Sequence, residues 1–311
     1  MLGRMGGATG IGGLLAWTGR DDDVVARAKL RGVRRLVLIT LALEGWAALR
    51  YVPYSAAPDF YGAIAVALGV CALLGWHDRF AAGAVCGALL LELVTVVCAF
   101  PENGNHQYLA IVWLALIALA RFAVAVEGPS RRGSADDARV ALQVIRWIVV
   151  AGLAWSGVMK LWYGYWLGGE FLSFRIATDP GFAWIFAPLV PDAELARLVA
   201  LENRIGAGPF RAQAPLLVAA ANLTWVAEIV LPAGLLWART RGLALLGSLL
   251  LMVAIQAGAR EFFFAGLMVG GLLLFDARDR LRVFVPLAAA GYLVWLAWSD
   301  VAAWLGSGPA S

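Results

Sequence analysis

The stretch "VALQVIRWIVVAGLAWSGVMKLW" covers residues 140–162 and carries only two charged side chains, Arg146 and Lys160. An α-helix needs about 20 mainly apolar residues to cross the hydrocarbon core of a bilayer. Similar runs recur along the 311-residue chain, which is 62% hydrophobic and 15% charged, whereas soluble domains average about 25% charged residues. The sequence therefore predicts an all-α fold, a polytopic transmembrane helix bundle.

The apolar runs predict eight or nine membrane spans. The seventh and eighth runs are short, so they form either two tilted helices or one broken span. We expect a cytoplasmic leader over 1–32, a single transmembrane domain over 33–305 and a tail over 306–311. The candidate spans are 34–51, 58–76, 80–100, 106–126, 140–162, 214–237, 242–258, 261–275 and 283–304.

The distribution of positive charge predicts the orientation. Lys and Arg are concentrated in the leader and in alternate loops, whereas segments 52–57 and 101–105 contain none. Basic loops face the cytoplasm, so we expect a multi-pass protein of the plasma (inner) membrane with a cytoplasmic N-terminus. The aromatic-rich segment 163–213, between spans 5 and 6, is then extracytoplasmic and typical of a membrane interface. The net charge of +4 indicates a lipid bilayer as partner and no nucleic acid.

The cysteines and histidines exclude several kinds of site. Cys71, Cys86 and Cys98 lie in apolar runs without a CxxC pair, which is typical of apolar fillers and not of a disulfide framework or a dithiol redox centre. His77 and His106 are far apart and have no cysteine or carboxylate at ligand spacing. We therefore expect no metal site.

Ionisable side chains inside the spans are the candidate functional residues, because a charge in the bilayer core is costly. The predicted topology places His106 and Lys160 at similar depth near the outer face. It places Glu228 nearer the inner half, where we expect a polar partner. The candidates are Glu44, Arg50, Glu92, His106, Lys160 and Glu228, with Arg260 and Glu261 between spans 7 and 8, and the neutral Asn222 and Gln256.

Lys160 is one of only two lysines among the 25 cationic residues. Unlike arginine, a lysine in a low-dielectric environment can lose its proton and act as a base. Gly152, Ser156 and Lys160 share one helix face, and small residues let helices approach closely, which would turn Lys160 into the bundle. The alternative is a lysine that anchors a helix end at the membrane surface.

The other candidates also have structural alternatives. His106 could be a hydrogen-bonded structural group at a helix start, and Glu44 could form an intramembrane ion pair with Arg50.

Two segments resemble the vitamin K-dependent γ-carboxylase and its bacterial relatives, which carry the HTTM (horizontally transferred transmembrane) domain. The first is "NHQYL" at 105–109, and the second is "SGVMKLWYGYWLGGEFL" at 156–172. A third segment, 255–275, is similar to a part of the family that often has a histidine where this chain has Gln256. The matching positions are Asn105, His106, Tyr108, Leu109, Gly157, Lys160, Trp166, Gly169 and Leu172.

The resemblance implies an enzyme with an outward-facing site that uses reduced vitamin K or menaquinol with O2 and CO2 as co-substrates. In that family the residue matching Lys160 is the base that deprotonates the hydroquinone, and the one matching His106 stabilises the anionic intermediate. The substrate would be a secreted peptide or another small molecule. Further candidates for the substrate or quinone pocket are Asn105, Tyr108, Trp166, Gln256, Arg260, Glu261, Glu44 and Glu92.

Two alternatives remain beside this enzyme. One is a non-catalytic membrane partner of a neighbouring protein in the maturation or export of a secreted peptide. The other is a transporter or a quinone-binding redox membrane protein. The sequence shows no inverted repeat of the kind found in transporters and no haem or iron–sulfur ligands for electron transfer.

Overall fold

A computed structural model describes residues 21–51, 58–99, 105–127, 133–201, 208–259 and 262–306, without the side chains at several helix ends. The predicted loops 52–57 and 101–104, the linker 128–132, and Arg260 and Glu261 lie outside these ranges. So does most of the predicted leader. The described part of the leader is helical, because the first helix begins at Asp23 and continues into the first predicted span.

The described residues contain twelve α-helices and no β-strand, so the all-α prediction is confirmed. A helix lies at each of the nine predicted spans. Two short 3-10 turns, Ala187–Leu189 and Gly208–Phe210, complete the order. The helices are α1 (Asp23–Tyr51), α2 (Pro58–Gly75), α3 (Ala81–Ala99), α4 (Asn105–Glu127), α5 (Gly133–Tyr163), α6 (Glu170–Thr178), α7 (Pro180–Phe186), α8 (Asp192–Val199), α9 (Pro215–Leu235), α10 (Arg241–Ala259), α11 (Phe262–Leu273) and α12 (Leu281–Gly306).

Three helices in the described ranges are long and apolar enough to cross a membrane. These stretches are Ala81–Cys98, Asp136–Tyr163 and Pro215–Leu235. Five other helices carry shorter apolar stretches, within α2, α4, α10, α11 and α12. The chain therefore has the character of a membrane protein, while the count of eight or nine spans and the orientation stay predictions.

The chain divides into two compact units, whereas the sequence predicts a single transmembrane domain. Among the described residues, unit A comprises those within 21–146 and 262–306, and unit B comprises those within 147–259. The boundary falls within α5.

Unit A is organised around α1, which packs against α2, α3, α4, α11 and α12. Leu36, Val37 and Leu41 of α1 are buried in its core. At the end of α11, Lys29 Nζ donates to the Asp276 carbonyl at 2.7 Å, and Arg146 Nε donates to the Leu274 carbonyl at 2.9 Å. These bonds satisfy carbonyls that a helix C-terminus leaves without intrahelical partners.

Unit B joins the second half of α5 to the α9–α10 pair and to the aromatic segment that carries α6, α7 and α8. The aromatic segment has a core of its own, in which Trp166, Phe182 and Phe210 are buried. Other aromatic side chains of the segment are exposed, most of all Trp184 and Tyr163. Its aromatic residues therefore have two roles: some build the local core, and others remain available for the predicted membrane interface.

Candidate functional site

Lys160 on α5 forms an ion pair with Glu228 on α9 inside unit B. Lys160 Nζ lies 2.8 Å from Glu228 Oε1 and 2.7 Å from Oε2, and it also donates to Ser156 Oγ at 2.7 Å. The Glu228 side chain is 2% exposed and that of Lys160 is 19% exposed. Lys160 is therefore turned into the bundle as its helix face predicted, and its three donors are all used.

The close packing of α5 on α9 depends on Gly157. A Cβ at this position would lie 2.7 Å from Ile229 Cγ1 and 2.8 Å from the Trp225 carbonyl oxygen. Gly152, which the helix-face pattern assigned to this contact, faces open space. The prediction of a small-residue contact was right in kind, but the residue is Gly157, one position along from Ser156.

The contact also corrects the predicted depth of Glu228. Its carboxylate touches Lys160, so the two side chains lie at one depth and not in opposite halves of a membrane. The structure therefore pairs the lysine with a buried carboxylate, whereas the sequence pattern considered the lysine alone.

Trp166 lies beside this ion pair. Lys160 Nζ is 5.0 Å from the centre of the Trp166 ring, a cation–π distance. Two glycines with positive φ, Gly164 at 80° and Gly169 at 74°, let the chain turn back after α5 and bring Trp166 into place. Asn222 of α9 holds the same turn, because its Nδ2 donates to the Leu167 carbonyl at 3.0 Å.

Trp166 also lines an apolar cavity of about 440 Å³, together with residues of α6, α7, α9 and α10. Phe182, Ala227, Leu231 and Leu250 are among the lining residues. The volume lies within the range of about 300–1,000 Å³ that is usual for small-molecule sites. Unit B thus combines an apolar cavity with a buried charged pair, and Trp166 belongs to both.

His106 and Glu44 form a second polar pair, in unit A. His106 Nε2 lies 2.7 Å from Glu44 Oε1, and both side chains are partly exposed. Which of the two groups is the donor depends on the tautomer of the His106 ring. Glu44 is thus bound to His106, whereas the side chain of Arg50, the partner that the sequence suggested for Glu44, lies outside the described residues.

The remaining predicted site residues are distributed as follows. Glu92 is buried in unit A and interacts electrostatically with Glu44. Tyr108 is 44% exposed, and Gln256 is half-buried in unit B. The side chain of Asn105, like Arg260 and Glu261, lies outside the described residues.

Lys160 and His106 thus belong to different units, and each has a glutamate partner within its own unit. The sequence marked Glu228 as an intramembrane charge but did not pair it with Lys160. The sequence did contain a signal for the pairing: Glu228 is an anion in an apolar helix, and a buried cation such as Lys160 requires a buried anion. Within the described ranges, no group of three His, Cys, Asp or Glu side chains could hold a metal ion.

The aromatic segment is secured by a second ion pair, between Glu194 and Arg197 of α8. Arg197 Nε lies 2.6 Å from Glu194 Oε2, and Glu194 Oε1 accepts from the Gln213 backbone N–H at 2.8 Å. Hydrogen bonding by Arg197 lowers the pKa of Glu194, and the Gln213 bond adds to the effect although burial opposes it. The pair joins α8 to the chain just before α9.

The resemblance to the γ-carboxylase family is supported only by the sequence motifs described above. No protein-family model matches the chain, and searches of curated proteins and of solved structures find no match.

Proposed function

We propose that this chain is a membrane-embedded, quinol-dependent enzyme of the γ-carboxylase-like type, in which Lys160 and Glu228 handle the substrate proton. The observation that carries the proposal is the inward-facing Lys160, bound to a buried carboxylate and next to the apolar cavity. The motifs around His106 and Lys160 supply the reaction class.

The Lys160–Glu228 pair provides a physical route to a base. Transfer of one proton from Nζ to Glu228 converts an ammonium–carboxylate pair into a neutral amine and a neutral carboxylic acid. In a low-dielectric site this form involves no separated charges, which favours it relative to its cost in water. The amine can then accept a proton from a hydroxyl that lies within hydrogen-bond distance.

The residues of unit B fit a reduced naphthoquinone. The apolar cavity suits its ring and tail, and Trp166 offers an aromatic face beside the lysine. When bound, the quinol would supply the electrons that reduce O2. Lys160 would hold the quinol hydroxyl and remove its proton, and the apolar lining would disfavour water around the ring. The role of stabilising an anionic intermediate, which the resemblance assigns to His106, stays a prediction, because His106 belongs to unit A and the cavity to unit B.

The proposal is tested by oxygen uptake. Purified protein in lipid nanodiscs is given chemically reduced menaquinone, and the consumption of O2 is followed with bicarbonate present and absent. Quinol-dependent uptake above that of empty nanodiscs supports the enzyme. An uptake equal to that of empty nanodiscs contradicts it.

A second candidate is the non-catalytic membrane partner in peptide maturation or export. It is favoured by one observation: all three donors of Lys160 are satisfied within the protein, as in a structural lock. In this case the purified protein would consume no oxygen and would co-purify with a secretion or maturation protein.

A further inference from the structure

Glu92 of α3 is a buried carboxyl without a cation. It is 2% exposed, as Glu228 is. Its Oε1 has no hydrogen-bond partner, and no ion pair involves it in the part of the chain that the structure describes. A charged carboxylate in such surroundings is far more costly than the neutral acid. Burial and the missing cation therefore favour Glu92 as a carboxylic acid.

The neighbours of Glu92 reinforce this state. Glu44 of α1 interacts electrostatically with Glu92, and a second negative charge near an ionised carboxylate is disfavoured. Glu44 is bound to His106, and these two side chains are 17% and 23% exposed. Exposure thus falls from His106 and Glu44 to Glu92, as it would along a path that leads a proton inward.

Two buried hydroxyl groups, those of Tyr292 and Thr40, lie near Glu44 and have hydrogen-bonding capacity that the described residues do not fully use. Tyr292 of α12 is buried, and its hydroxyl interacts with the buried hydroxyl of Thr40 and, electrostatically, with Glu44. Neither hydroxyl makes a hydrogen bond of normal geometry among the described residues. Gly266 of α11 makes room for the tyrosine, because a Cβ there would collide with Tyr292 Oη. Buried polar groups are normally paired, so these hydroxyls indicate a polar site that the protein itself leaves incompletely satisfied.

The helices around α3 contribute few other titratable groups. Helices α1, α2 and α4 pack against α3. The charged residues in the first half of α1 make their own contacts, as Lys29 does with Asp21 and Arg34 with Asp78. Beyond these, the titratable side chains described on the three helices are Glu44, Tyr61, Cys71, His106 and Tyr108.

We propose that unit A contains a proton-binding site in which Glu92 holds a proton at neutral pH and exchanges it with solvent through Glu44 and His106. Tyr292 provides the polar lining on the α12 side. The bound species is a proton, and no larger ligand is required. The site is independent of the quinol chemistry proposed for unit B, so the failure of one leaves the other standing.

Infrared spectroscopy tests the site directly. The purified full-length protein, in a detergent without ester groups, is measured at pH 7 in the carbonyl region, where a protonated carboxyl absorbs and a carboxylate does not. We expect a carboxylic acid band in the wild-type protein that is lost in Glu92→Gln. Glu194→Gln is the control, since Glu194 is also buried but is paired with Arg197, which lowers its pKa, and this variant should retain the band.

Exchange into heavy water tests the path. The band should shift in heavy water, and Glu44→Gln should slow that shift. If Glu92→Gln does not fold, Glu92→Asp should move the band without abolishing it. The proposal is overturned by a wild-type protein without the band, by a band that survives Glu92→Gln, or by loss of the band when Na⁺ is added, which would indicate a cation site.

Discussion

Lys160 Nζ lies 2.7 Å from Glu228 Oε2, and the two residues are held together by close packing of α5 and α9 at Gly157. This contact explains why the lysine is not a surface anchor. It joins two apolar helices through a pair of opposite charges, and it places a group that can change its protonation state next to an apolar cavity.

Substituting Gly157 should separate the two helices. In Gly157→Ala the new methyl group would press on Ile229 and on the Trp225 carbonyl, and overpacking of this kind costs about 1–3 kcal/mol. A thermal-unfolding assay of the purified protein should show a lower midpoint. Gly152→Ala is the control on the same helix, because nothing lies within 4 Å of its new Cβ. Equal midpoints for the two variants would mean that α5 and α9 are not in contact here.

The sequence predicted features that depend on neighbouring residues, such as helices, but not contacts between residues that are far apart in the chain. The long apolar runs correctly predicted a helix at each of the nine candidate spans, because hydrophobicity over about 20 residues is a local property. The pairing of Lys160 with Glu228 joins positions 68 residues apart. It depends on which face of α9 meets α5, and that is set by the shape of the contact at Gly157, which the composition of either helix alone does not reveal.

The same reasoning applies to Glu44 and the aromatic segment. The sequence suggested Arg50 as the partner of Glu44, and only the packing of α1 on α4 brings His106 to it. The density of aromatic residues in 163–213 predicted a membrane interface, but not that Trp166 and Phe182 would bury in a local core.

Removing the carboxylate of Glu228 should destabilise unit B. Glu228→Ala leaves Lys160 without its ion-pair partner. Breaking a fully buried pair costs about 3–5 kcal/mol of folding free energy. Because Lys160 is partly exposed, we expect a smaller loss of about 2 kcal/mol. The double substitution Lys160→Met with Glu228→Met should recover much of the loss. Thermal unfolding of the wild type, the two single methionine variants and the double variant gives the coupling, and additive effects would show that the pair contributes nothing.

Filling the cavity should weaken quinol binding. Ala227→Phe adds a ring to the cavity wall, and we expect a higher KM for reduced menaquinone with a smaller change in kcat. Leu246→Phe on α10 is the control, since Leu246 is exposed and is not part of the lining. If both variants have the wild-type KM, the quinol does not bind in this cavity.

Acid should loosen the junction between α8 and the start of α9. Because the pKa of Glu194 is lowered from its ordinary value of 4.5, its carboxylate stabilises the fold above that value, and the stabilisation is lost as the pH falls through the lowered pKa. Hydrogen exchange of the Gln213 amide, corrected for the intrinsic rate, should therefore accelerate only below about pH 4.5. Glu194→Gln should remove this dependence, and a wild-type protein whose protection stays constant far below that pH would rule out the effect.

The central claim is that Lys160 acts by giving and taking a proton. Lys160→Arg keeps a cation opposite Glu228 but removes a group that can become neutral. We predict that the variant unfolds near the wild-type temperature and loses quinol-dependent oxygen uptake by about 100-fold or more. Wild-type uptake by a folded Lys160→Arg protein would contradict the claim and leave Lys160 with a structural role.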